Sequence, residues 1–151
     1  MNPQHALELF PRDTDGLVAE LGLPQYVSKQ LLDWIYKKQV KSVDEMSNIR
    51  KDVRDRISEV LDFRKGKIVK SQNASDGTRK HLLEWESPDK RTETVMIPVK
   101  ARKTACVSSQ VGCPVGCTFC ASGLEGLGGN LSAGQIVEQV VSLGANEITN
   151  I

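Results

Sequence analysis

Between residues 24 and 61 apolar positions recur every three or four residues, and after residue 62 that interval changes. Val27, Leu31, Leu32, Trp34 and Ile35 form a mainly apolar side against Lys29, Lys37 and Lys38, the pattern of a helix that needs a packing partner. Pro24 fits its first turn. Upstream, Thr14 is placed to cap a short helix carrying Leu17 and Leu21 and stopped by Gly22. Downstream, Ser42-Val43-Asp44-Glu45 has the form of a capping box, and Ile49, Val53, Ile57, Val60 and Leu61 follow at helical spacing. Residues 1–62 are therefore expected to form a small helical domain. Trp34 and Tyr36 are read as core aromatics rather than as platforms for a base.

The stretches 67–72, 79–86 and 92–97 are short and lean towards β structure. Asn73-Ala74-Ser75-Asp76-Gly77 and Ser87-Pro88-Asp89 between them carry turn chemistry, so 63–103 is expected to be a small antiparallel sheet. His81 within one strand reads as a satisfied structural histidine. From Thr104 the predicted order is strand, cysteine-rich loop, Gly-rich turn, helix and the opening of another strand. Ser132 with Gln135 forms a second capping box, ahead of an apolar stripe of Ile136, Val137, Val140 and Val141 that ends at Gly144. The expected fold class is thus an α+β region followed, over 104–151, by one β-loop-α unit. Such a unit cannot cover both faces of a parallel sheet, so the sequence is expected to be the N-terminal portion of a longer enzyme.

Charge divides the chain. All 20 Lys and Arg stand at or before Lys103, whereas only Glu125, Glu138 and Glu147 follow it. Arg64, Lys65, Lys67, Lys70, Arg79 and Lys80 face Asp76 alone within one short stretch, which suits either a phosphate-contacting surface or a solvated face. No apolar run approaches membrane-spanning length, and the first twelve residues lack a signal pattern, so a cytoplasmic protein without membrane contact is expected.

The four cysteines all lie between residues 106 and 120, which suits a metal or redox site better than a disulfide framework. Cys113-Pro114-Val115-Gly116-Cys117-Thr118-Phe119-Cys120 sets three thiols at C-x-x-x-C-x-x-C spacing. Thiols this close are the soft, readily ionised ligands that iron–sulfur clusters and thiophilic metals require. Three ligands leave a coordination position open, as a [4Fe–4S] cluster with one free iron would. Zinc closed by Cys106 is the competing reading.

The cysteine loop, with Phe119 just before its last Cys, resembles that of the radical S-adenosylmethionine (radical SAM) superfamily. Cys106 to Cys113, Gly126, Asn130 to Ile136, and upstream Trp34 to Lys38, Asp44 to Met46, Asp76 to Lys80 and Glu93 to Pro98 are similar to the dual-specificity ribosomal and transfer RNA adenine-C2 methyltransferases. The resemblance implies a partial radical SAM barrel begun at 104–151, with Cys113, Cys117 and Cys120 holding a [4Fe–4S] cluster that binds and cleaves SAM. It implies that Phe119 packs near the SAM adenine and that Glu93 accepts a proton. Cys106 would be the resolving cysteine, forming a disulfide with a methyl-carrying cysteine that is absent from this sequence. The implied partners are 23S rRNA, tRNA and an electron-donor protein, with a monomeric full-length enzyme. It also inclines the basic stretch towards RNA. The sequence departs from the pattern at Gly128 and Gly129, where the family often has bulky or basic residues. Two other functions remain open: a non-catalytic RNA-binding module with a zinc or iron–sulfur knuckle, and a radical SAM enzyme for another substrate.

Overall fold

The computed structural model describes residues 3–151. It divides into two compact units, Met1–Lys65 and Gly66–Ile151. Among the described residues no helix is long and apolar enough to cross a membrane.

The first unit opens with β1 (Gln4–His5), followed by α1 (Pro11–Glu20), α2 (Tyr26–Leu32) and α3 (Lys51–Val60), and ends in β2 (Leu61–Asp62). Pro11 at the first helical position starts α1 earlier than the sequence suggested. Thr14 is consequently not the cap but a buried residue inside the helix, its hydroxyl donating to the Phe10 carbonyl at 2.9 Å. Likewise Pro24 stands just ahead of α2, where its carbonyl accepts from the Val27 amide. A π turn, Asp33–Lys37, continues α2 and brings Tyr36 Oη to the Leu9 carbonyl at 2.8 Å. Ser42 and Glu45 do form a capping box, but around a single 3-10 turn. Leu31, Met46 and Ile57 are fully buried in the unit's core. The parallel pairing of β1 with β2 was not foreseen, because two-residue strands leave no alternation to read.

The second unit is built on a four-stranded antiparallel meander: β3 (Lys67–Asn73), β4 (Arg79–Glu84), β5 (Arg91–Val99) and β6 (Arg102–Cys106), in that order. His81, Leu83, Thr92, Thr94, Met96 and Ala105 alternate onto the buried face. The opposite face carries Lys80, Leu82, Glu93, Val95 and Cys106, none of them buried. β6 thus closes the meander, and Thr104 also forms a parallel bridge to Asn150. That bridge is reinforced by the Ala105 amide donating to the Asn150 carbonyl at 2.9 Å.

Two further findings, both in the second unit, correct the expectations from sequence. The expected Gly-rich turn is a strand, β8 (Leu127–Asn130), paired antiparallel with β7 (Gln110–Gly112). Two glycines serve there for different reasons: a Cβ on Gly128 would press to 3.0 Å from the Val111 side chain, and Gly129 has a φ of +144°, which L side chains rarely adopt. The second concerns α4 (Ala133–Ser142), capped by Ser132 and Gln135 as expected. Its buried side is not the stripe of Ile136, Val137, Val140 and Val141 but Gly134, Gln135, Glu138 and Gln139. Leu143, just beyond the helix, supplies the apolar contact by packing with Met96 and Ala105.

Candidate active site

Glu93, Cys106 and Cys113 line one open cleft of about 730 Å³. Glu93 reaches it from the open side of β5, opposite Leu82. Lys80 approaches diagonally from β4, its Nζ 2.9 Å from Glu93 Oε1. Cys106 comes from the end of β6, where its carbonyl accepts from the buried Thr94 hydroxyl at 3.0 Å and its thiol side is exposed. That exposure separates it from a buried, inert thiol. All four cysteines are free.

The connection from Cys106 to Cys113 is held from two sides. Ser108 Oγ donates to the Glu93 carbonyl at 2.9 Å, tying the connection to β5. From α4, the amide of the fully buried Gln139 meets both backbone groups of the same residue. Its Oε1 accepts from the Ser108 N–H at 2.8 Å, and its Nε2 donates to the Ser108 carbonyl at 2.8 Å. Sequence reasoning missed Gln139, although an amide among the valines of a helix is a signal that a buried polar partner exists.

The β7–β8 hairpin closes the base of the cysteine loop. Cys113 N–H donates to the Gly126 carbonyl at 3.0 Å, and Cys120 N–H to the Cys117 carbonyl at 3.1 Å. Gly112 has φ +71°, and a Cβ there would lie 2.0 Å from the Gly126 carbonyl oxygen, so only glycine fits. Cys113, Cys117 and Cys120 are half-buried. Phe119 is 90% exposed, which excludes a core role under the loop. Cys117, Phe119 and Cys120 do not line the cleft that Cys113 enters. Among the described residues no three His, Cys, Asp or Glu side chains stand grouped as a preformed metal site. The donor set is nonetheless suited to a cluster: three free thiols on eight residues, with backbone packed at Gly112 too tightly for a side chain.

The other candidates sort plainly. Trp34 is buried, donates from Nε1 to Asn48 Oδ1 at 2.6 Å and carries the Lys38 ammonium 3.4 Å from its ring centre. His81 is buried, with Nδ1 2.7 Å from Ser71 Oγ, and burial followed by the charge of Arg79 pushes its pKa below the usual value. Of the basic stretch, Arg64 donates to the Gln39 carbonyl within the first unit, and Arg79 lies 3.7 Å from Glu147 in the second.

Residues 7–62 match the family described as the ribosomal RNA large subunit methyltransferase N-terminal domain. A protein of Parabacteroides distasonis named "Probable dual-specificity RNA methyltransferase RlmN" is 42% identical over 152 residues, covering all of this chain and 44% of its own length. The chain belongs to the RlmN family, over the N-terminal portion of its members. A Thermotoga neapolitana protein of the same name is 45% identical over 88% of this chain and 40% of its own. Among solved structures, a radical SAM methyltransferase from Sphaerobacter thermophilus superposes with a TM-score of 0.87 at 34% identity, over 95% of this chain and 42% of that one. The chain therefore spans less than half the length of these RlmN relatives.

Proposed function

We propose that this chain is the N-terminal portion of a radical SAM enzyme that methylates C2 of an adenine in 23S rRNA and tRNA. The observation that carries the reading is the convergence of Glu93, Cys106 and Cys113 on one cleft, because it joins the cysteine loop to a carboxylate and a separate thiol. Cys113, Cys117 and Cys120 would hold a [4Fe–4S] cluster, which when bound supplies the electron for SAM cleavage. Phe119, exposed on the cysteine loop, is free to pack against the SAM adenine. Glu93, held by Lys80 at the cleft wall, is the proton acceptor. Cys106 offers an accessible thiol for the resolving step, which pairs it with the methyl-carrying cysteine of the rest of the enzyme. An adenine extruded from its stack fits an open cleft of this size. The full-length enzyme is read as a cytoplasmic monomer served by an electron-donor protein.

Anaerobic reconstitution followed by iron, sulfide and zinc analysis tests the assignment. Ala at Cys113, Cys117 or Cys120 should abolish iron and sulfide loading, and Cys106→Ala should retain it. Iron loss in Cys106→Ala equal to that in Cys113→Ala would make Cys106 a ligand. Near-stoichiometric zinc without sulfide would instead favour a knuckle.

A further inference from the structure

The β3 strand contains an irregularity that sorts its charges. Ile68 pairs with Leu83 and Lys70 with Leu82, leaving Val69 as an extra residue between them. In a regular strand Lys67 and Lys70, three positions apart, would point to opposite faces. The bulge cancels the odd step. Lys67 stands opposite Glu84, Lys70 opposite Leu82 and Gln72 opposite Lys80, so all three share the open face of the sheet. Ile68 and Ser71 take the other face, where Ser71 meets the buried His81.

Lys70, Gln72 and Lys80 line a cavity of about 190 Å³ whose remaining walls are Leu82 and Glu93. Leu82 and Glu93 also line the large cleft, so the cationic row runs directly into the candidate active site. The carboxylates on this face are already engaged, Glu84 with Arg91 and Glu93 with Lys80. Among the described residues no carboxylate pairs with Lys67 or Lys70, and both are exposed. Their cross-strand partners are two residues apart on β4, which sets the backbone positions of the two lysines about 6.6 Å apart along the strand. That spacing lets each take its own phosphate.

We propose that the row assembled by the Val69 bulge, Lys67 and Lys70 with Gln72, binds the phosphate backbone of the RNA substrate and directs the strand towards the Glu93–Cys106–Cys113 cleft. This rests on the RNA-methylating reading above and adds to it where the RNA lies on the sheet. The bulge is what gives the surface its charge: two cations that an unbroken strand would distribute over both faces stand on one. Phosphate binding here is independent of base sequence, so discrimination between RNAs belongs elsewhere.

The test is the salt dependence of binding of a structured RNA fragment to the 151-residue chain. Lys67→Ala with Lys70→Ala should lower the slope of log K against log salt by about 0.7 to 0.9 for each phosphate no longer neutralised, hence about 1.4 to 1.8 together. Lys67→Arg with Lys70→Arg should preserve the slope. Lys41→Ala with Lys51→Ala removes equal charge from exposed sites of the first unit and should leave it unchanged. Deleting Val69 removes the bulge but leaves Lys67 and Lys70 two positions apart, still opposite Glu84 and Leu82 on the same face, and should therefore preserve the slope. Absence of RNA binding, a slope unaffected by the Lys67/Lys70 change, or an equal effect from Lys41/Lys51 overturns the proposal. Iron and sulfide loading of the same proteins reads the radical SAM assignment separately, since none of these changes touches the cysteine loop.

Discussion

Gln139 holds Ser108 by both its backbone N–H and its carbonyl, from a helix 31 residues further along the chain. The two bonds form an amide pair at a fully buried side chain, where an unmade bond is costly. Ser108 also holds the Glu93 carbonyl. One glutamine thereby fixes the segment joining Cys106 to Cys113 against the strand that bears Glu93.

Gln139→Leu removes both bonds and strands the Ser108 backbone groups. We expect a loss of about 1 to 3 kcal/mol in the urea-unfolding free energy of the second unit. Gln139→Glu should also destabilise it, because a carboxylate accepts from the Ser108 N–H but cannot donate to its carbonyl. Faster exchange of the Ser108 amide in both variants would localise the effect, and unchanged exchange would show that the pair contributes nothing.

Gly112→Ala and Gly116→Ala separate steric collision from backbone strain. Both glycines have positive φ, +71° and +67°, so each alanine carries about 1 to 2 kcal/mol of left-handed strain. A Cβ at Gly116 meets nothing within 4 Å, whereas one at Gly112 strikes the Gly126 carbonyl. Gly112→Ala should therefore break the Cys113–Gly126 hydrogen bond and lower iron loading well below that of Gly116→Ala. Equal loading would mean that the hairpin does not shape the loop.

His81 makes stability depend on pH in a defined direction. Burial, and then the Arg79 charge, lower its pKa in the folded state from the usual 6.5. The unfolded chain thus binds the proton more readily, and stability rises with pH through the window ending near 6.5. On acidification below that value the wild type should lose stability faster than His81→Gln, as compared by urea midpoints across the pH series. Parallel curves would remove His81 from the account.

Much of the local architecture was legible because it depends on neighbours in the chain. The change from helical to alternating spacing after residue 62, the Ser132–Gln135 capping box and the turn residues at Asp76-Gly77 each act over a few residues, and each is present. The C-x-x-x-C-x-x-C loop was legible for the same reason. What the chain alone did not reveal depends on pairings made over long separations. Hydrophobic periodicity marked Ile136, Val137, Val140 and Val141 as the packing face of α4, yet Glu138 and Gln139 are buried because the backbone of Gly66 and Ser108 offers them partners, and Gln135 beside them holds the Ser132 cap. The meeting of Glu93, Cys106 and Cys113 depends on the pairing of β5 with β6 and on Gln139 holding the segment between the two cysteines. Finally, the side of the sheet on which Lys67 stands is set by one unpaired residue, Val69. A strand's alternation is known from sequence only while the register is unbroken, and register is decided by the strand across from it.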